Sequence, residues 1–239
     1  MRNFRDVGGL PVAAGGQLAR AVLYRADAPR FGDDPPAGVS WPPATVIDLR
    51  SQDELTRKHP LAEQGADVHA VALMARAGIA HLVEQPHEVD DGLGALYVRM
   101  LKGAGGAIGS IPRLIGASNG ATLVHCTAGK DRTGLVLAVV LSAAGVAREH
   151  VVADYVGTQE NMEGIVARVA STPGLTDAPE LVRRIAQRRP EIFTAPAEAI
   201  GAALDFLDEA GGAEAWLKLH GATDAELSRM RARLVWFSK

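Results

Sequence analysis

The chain has 239 residues, 47% of them apolar and 22% charged, with a formal net charge of −3. That length and apolar content suit one large domain with a sizeable core, and the negative charge excludes nucleic-acid binding driven by bulk charge. A single cysteine excludes an internal disulfide and fits a reduced compartment, expected to be the cytoplasm, and the polar N-terminus lacks the apolar core of a signal peptide.

In chain order, β and α patterns alternate. Ala21-Val22-Leu23-Tyr24-Arg25 reads as a strand, followed by a Pro/Gly/Asp-rich loop from Pro29 to Pro43. Thr45 to Leu49 reads as a second strand. Ser51-Gln52-Asp53-Glu54 has capping-box spacing and opens a short helix that should stop before Pro60. Asp67 to Met74 alternates as a third strand. Leu93 to Lys102 and Ile111 to Ala117 read as helices separated by Gly103-Ala104-Gly105-Gly106. Ala121-Thr122-Leu123-Val124 is a short buried strand, and Leu135 to Leu141 a buried helix. That apolar run is too short to span a bilayer, which takes about 20 residues, so no stable membrane insertion is expected. Strands separated by helices predict an α/β fold with a mostly parallel central sheet flanked by helices.

Beyond residue 147 the chain reads as helical. Arg148 to Met162, Glu163 to Ser171, Pro179 to Arg189 and Ala197 to Glu209 are helix candidates, with a break at Pro173-Gly174. The box Thr223-Asp224-Ala225-Glu226 opens a last helix with Leu227, Met230 and Leu234 on one stripe. The expectation is a single domain, 1–239. Residues 157–195 are either a helical layer on the sheet or a cap over a pocket. The cluster Arg183, Arg184, Arg188 and Arg189 reads as a solvated face, with an anionic head group as the sharper alternative.

The richest motif is His125-Cys126-Thr127-Ala128-Gly129-Lys130-Asp131-Arg132-Thr133-Gly134, set between a strand and a helix. A tight loop can aim successive backbone N–H groups at phosphate oxygens, and the helix N-terminus adds its positive dipole. Arg132, six positions after Cys126, brings a planar fork that can grip two phosphate oxygens. The same field favours the thiolate of Cys126, the nucleophilic form. Thr127, Ala128, Gly129, Lys130, Thr133 and Gly134 complete the phosphate cradle; the Thr133 hydroxyl lies where it could support the thiolate. Lys130 would meet a second substrate phosphate or add to the field on Cys126.

These residues resemble the cysteine-dependent protein tyrosine and dual-specificity phosphatases, and within them an atypical bacterial branch, the mycobacterial type among it. Three segments carry the resemblance: Asn3-Phe4-Arg5-Asp6, Asp48-Leu49-Arg50-Ser51 and the loop with Lys130-Asp131. It implies phosphomonoester hydrolysis through a phosphocysteine intermediate, with no metal or cofactor. The implied substrate is a phosphorylated protein, at tyrosine first with breadth toward serine or threonine, or a phosphoinositide, since a lysine in the loop is associated with inositol-lipid phosphatases. Many relatives carry an Asp general acid on an upstream Trp-Pro-Asp loop. Here Trp41-Pro42-Pro43 has none. The branch points to Asp131, within the loop, ahead of Asp48 at a strand end.

Other readings are weaker. Gly129-Lys130 lacks the Ser/Thr and first Gly of a Walker A loop. His59, His69, His81 and His87 have no metal-ligand spacing and read as core or surface residues. A catalytically silent phosphate-binding module would have no need of Cys126. A rhodanese would share the thiolate loop and is separated by a sulfur-transfer assay.

Overall fold

A computed structural model describes residues 1–55, 58–73, 92–171 and 190–237, with the single positions 180, 183 and 187. The strands are β1 (Arg5–Asp6), β2 (Gln17–Leu18), β3 (Leu23–Ala26), β4 (Thr45–Asp48), β5 (Asp67–Ala70), β6 (Thr122–His125) and β7 (Val235–Trp236). The helices are α1 (Gly92–Gly109), α2 (Ile111–Ala117), α3 (Asp131–Ala143), α4 (Arg148–Val156), α5 (Met162–Ala170), α6 (Ala197–Glu209), α7 (Ala213–Leu219) and α8 (Asp224–Leu234). Short 3-10 turns occupy Gln52–Glu54, Pro60–Ala62, Gly157–Asn161 and Pro190–Phe193.

The main sheet has the order β1-β3-β6-β4-β5. β3, β6, β4 and β5 run parallel, and β1 pairs antiparallel with β3 at one edge. The fold is therefore α/β with a mostly parallel sheet. β3, β4 and β6 are buried at every position, as central parallel strands covered on both faces must be; the edge strand β5 is not. β6 feeds α3, whose side chains from Leu135 through Leu141 are all fully buried. At about 1.5–3 kcal/mol for each large apolar side chain removed from water, this helix anchors the core. Among the described residues, no helix is long and apolar enough to cross a membrane.

Several elements differ from the sequence expectation. The break expected at Gly103–Gly106 is present as a kink, where Ala104 leaves helical geometry (φ −116°, ψ 17°), but helix then resumes through Gly109 instead of giving way to a loop before Ile111. The reason is tertiary. A Cβ on Gly105 would stand 1.9 Å from His220 Cδ2, and one on Gly109 2.1 Å from the His220 carbonyl oxygen. The glycines let α1 lie against the end of α7. The helix expected after Ser51 is a single turn, after which Leu55 is extended. The third strand ends at Ala70. The stretch from Arg148 to Met162 is α4 followed by a 3-10 turn. β1, β2, β7 and α7 are not among the elements expected from the sequence. Residues 74–91, with His81 and His87, and the helix expected over 179–189, with Arg184, Arg188 and Arg189, lie outside the described residues except for positions 180, 183 and 187.

Candidate active site

β6 ends at His125, Cys126 follows, and α3 begins at Asp131. The five residues between strand and helix make the loop. Gly129 turns it with φ +68°, and a Cβ there would meet the Ala26 carbonyl at 2.4 Å, so both conformation and packing require glycine. Gly134 lies under the Tyr155 ring, 2.7 Å from where a Cβ would sit. Cys126 is buried and unpaired. The first turn of α3 leaves backbone N–H groups without helical partners, facing the loop.

The loop is held from behind. The Gly129 carbonyl accepts from Asn3 Nδ2 at 2.8 Å and from the Arg25 guanidinium at 2.7 Å. Arg25 and Arg5 both pair with Asp154 on α4, and Arg5 also donates to Asn3 Oδ1. The N-terminal Asn-Phe-Arg-Asp segment is thus a brace for the loop. Arg5 and Asp6, which the sequence alone would allow as a local ion pair, part company: Asp6 accepts from the Gly8 and Ala21 N–H groups.

Arg132 is buried, and its guanidinium forks onto Glu54, with Nη2 donating to Oε1 at 2.8 Å and Nη1 to Oε2 at 2.5 Å. Glu54 also accepts from the Thr127 hydroxyl at 2.6 Å and from the Ser51 N–H and hydroxyl. Burial alone would raise the Glu54 pKa; Arg132, then Thr127 and Ser51, outweigh it and bring it down to about 2. Glu54 was read from sequence only as a cap. It caps the turn and holds the loop arginine with the same carboxylate.

Asp131 opens α3 with its side chain 30% exposed. Its Oδ1 accepts from the Tyr97 hydroxyl at 2.6 Å and lies 3.2 Å from Lys130 Nζ. Tyr97 in turn meets the Tyr155 hydroxyl at 2.7 Å. Tyr97 was missed; an isolated tyrosine on an apolar helix face gives little to read. Lys130 is buried, and its ammonium donates to the carbonyls of Ile192 and Thr194 at 2.5 and 2.8 Å. Reaching a second substrate phosphate would require it to release both.

Asp48, beside His125 across the β4–β6 ladder, is buried and gripped by Arg50 at both carboxylate oxygens. Burial would raise its pKa; positive charge at His125, when that ring is protonated, and the hydrogen-bonded Arg50 guanidinium lower it to about 2. Thr133 Oγ1 is buried without a hydrogen-bond partner. His125 Nδ1 lies 3.2 Å from the Cys126 carbonyl oxygen, and its Nε2 lies 3.0 Å from His59 Nε2.

A buried thiol in a strand-to-helix loop, with a guanidinium in the first turn of the helix, combines the chemistry of a nucleophile with that of an anion clamp. The class this defines is the cysteine-dependent phosphoric monoester hydrolases. The tyrosine phosphatase family matches residues 1–236, and the chain belongs to that family. It is 29% identical over 269 aligned residues to the triple specificity protein phosphatase PtpB of Mycobacterium tuberculosis, covering 98% of this chain and 96% of that protein. It is also 29% identical over 196 aligned residues to a tyrosine-protein phosphatase of Nostoc commune, covering 79% of this chain and 65% of that protein. The reaction general to the family is phosphomonoester hydrolysis through a phosphocysteine.

Proposed function

We propose that this chain is a phosphatase of phosphotyrosine and of other phosphomonoesters, in which Cys126 is the nucleophile. The observation that carries the reading is the loop itself, with buried Cys126 at its start and buried Arg132 in the first turn of the helix that follows. Cys126 Sγ attacks phosphorus, the S–P bond forms, and the ester O–P bond breaks. Asp131 delivers a proton to the leaving oxygen, then takes one from the water that cleaves the phosphocysteine. Arg132 and the loop N–H groups of Thr127 through Gly134 hold the non-bridging oxygens. The Thr133 hydroxyl supports the sulfur as it leaves.

Asp131 suits the acid role better than Asp48. Asp48 is buried with both carboxylate oxygens engaged by Arg50, whereas Asp131 stands partly exposed at the head of α3. Lys130 gives Asp131 a cationic neighbour and ties the loop to residues 192–194. That tie, together with the Gln159 carboxamide accepting from the Ala195 N–H, supports 157–195 as a cap belonging to one domain, 1–239. The name of the mycobacterial relative supports breadth beyond phosphotyrosine, toward phosphoserine, phosphothreonine or phosphoinositides. The lone thiol the reaction needs favours a reducing, cytoplasmic setting.

The test is hydrolysis of phosphotyrosine peptide, phosphoserine peptide and phosphoinositides in EDTA, with Cys126→Ser alongside. Turnover that survives EDTA and vanishes in the variant is the expected result, and the ranking of substrates defines the breadth. Reduced wild-type protein that hydrolyses none of them defeats the reading.

A further inference from the structure

Beneath the loop, His59 and His125 form a chain of hydrogen bonds whose direction is fixed at both ends. The Pro60 that follows His59 keeps it extended (φ −63°, ψ 131°) and starts a 3-10 turn. That turn points the Leu61 N–H back at His59 Nδ1, 3.2 Å away. A backbone N–H can only donate, so Nδ1 must be bare and the His59 proton must sit on Nε2. His59 Nε2 is 3.0 Å from His125 Nε2, which must therefore accept. The His125 proton then sits on Nδ1, 3.2 Å from the Cys126 carbonyl oxygen, which can only accept. The opposite arrangement would set two donors together at Leu61 and two acceptors together at Cys126.

The same ends argue against a cation. Asp48, His59 and His125 place ligand atoms within 4.8 Å of one another. A metal on His59 Nε2 would move the ring proton to Nδ1, against the Leu61 N–H. Asp48 Oδ2, 3.7 Å from His125 Nε2, is already engaged by Arg50.

The consequence reaches the reacting loop through one peptide plane. The Cys126 carbonyl and the Thr127 N–H belong to the same trans peptide and point in opposite directions. Holding the carbonyl on His125 therefore turns the Thr127 N–H to the opposite side of that peptide, away from His125. We propose that His59 is a positioning residue for the phosphatase reaction, fixing His125 in the tautomer that holds the Cys126 carbonyl and so aims the loop. The kinetic part rests on the Cys126 reading; the tautomer does not.

The experiment uses wild-type protein with 15N-labelled histidine rings, assigned through His59→Gln and His125→Gln, alongside kinetics of His59→Leu and His59→Gln. Gln places an amide N–H near the position of Nε2, and Leu places none. The expected spectrum has His125 protonated at Nδ1 and bare at Nε2, with His59 the reverse. His59→Leu is expected to lower kcat about 10-fold with KM within about 3-fold, and His59→Gln to restore kcat to within about 3-fold. Three results overturn the proposal: a wild-type His125 protonated at Nε2, ring-nitrogen shifts that titrate with one equivalent of zinc, or equal kcat in the Leu and Gln variants. Because the ring-nitrogen signature is read on wild-type protein without turnover, it decides even where the Leu variant does not fold.

Discussion

One carboxylate, Glu54, governs the cation of the loop. A buried guanidinium is costly unless its charge is met and its N–H groups are bonded, and Glu54 does both for Arg132 while also receiving Thr127 and Ser51. Glu54→Gln keeps the shape and one acceptor but removes the charge. It should lower stability by about 1–3 kcal/mol, read as a urea midpoint, and lower kcat/KM as Arg132 loses its orientation. A variant with unchanged midpoint and kinetics would show that Arg132 is held otherwise. The two aspartates divide in a similar way. Asp131→Asn should lower kcat on phosphotyrosine peptide about 100-fold or more, and much less on p-nitrophenyl phosphate, whose leaving group needs little protonation. Asp48→Asn should lower the melting temperature instead, because it releases Arg50 in a buried setting. A leaving-group-dependent loss in Asp48→Asn rather than Asp131→Asn would reverse the assignment.

Elements were legible where one local rule governs them. The strand–loop–helix around Cys126 could be read because an apolar run, a loop with a fixed cation spacing and a second apolar run follow directly in sequence. The same is true of α8, whose Thr223–Glu226 box is formed as its spacing implies. The glycine stretch in α1 was legible in part: glycine has two uses, to break a helix and to let another backbone come close, and the kink at Ala104 shows the first while the approach of Gly105 to His220, a tertiary contact, shows the second. Strands β1, β2 and β7, two residues each, are too short for any periodicity to show. Gly105→Ala tests the packing account. On helix propensity alone it should stabilise α1 by up to about 1 kcal/mol, but the clash with His220 should reverse the sign and cost about 1–3 kcal/mol. His220→Ala in the same background should recover part of the loss. A Gly105→Ala protein that melts higher than wild type would refute the close approach.

At the scale of the whole molecule, the site depends on residues that are far apart in sequence. Asn3 reaches Gly129, Arg5 reaches Asp154, and His59 reaches His125. No local pattern announces such pairs; a charged Arg25 inside a buried strand was the one visible hint of them. The buried histidine pair makes stability depend on pH with a definite sign. Burial, then the neighbouring His125, lowers the His59 pKa from 6.5 to about 4, and burial lowers that of His125 as well. The unfolded chain therefore binds more protons than the folded one between about pH 6.5 and 4. The stabilisation is fully present above 6.5 and is lost as pH falls toward 4, by about 3 kcal/mol for His59 alone. Glu54 and Asp48, both held near 2 from 4.5 and 3.8, add a second loss at lower pH, as the solution drops from about 4.5 toward 2. Urea midpoints taken between pH 7.5 and 4.5 should fall steadily for the wild type and less steeply for His59→Gln, which has nothing to protonate at that position. Because His59→Gln forfeits one of the groups that titrate on unfolding, the two curves should converge as the solution is acidified. Parallel curves, or a wild-type midpoint that stays level down to pH 5, would mean that the histidines take up protons in the folded protein as readily as in the unfolded chain, and the neutral hydrogen-bond chain beneath Cys126 would fall with that result.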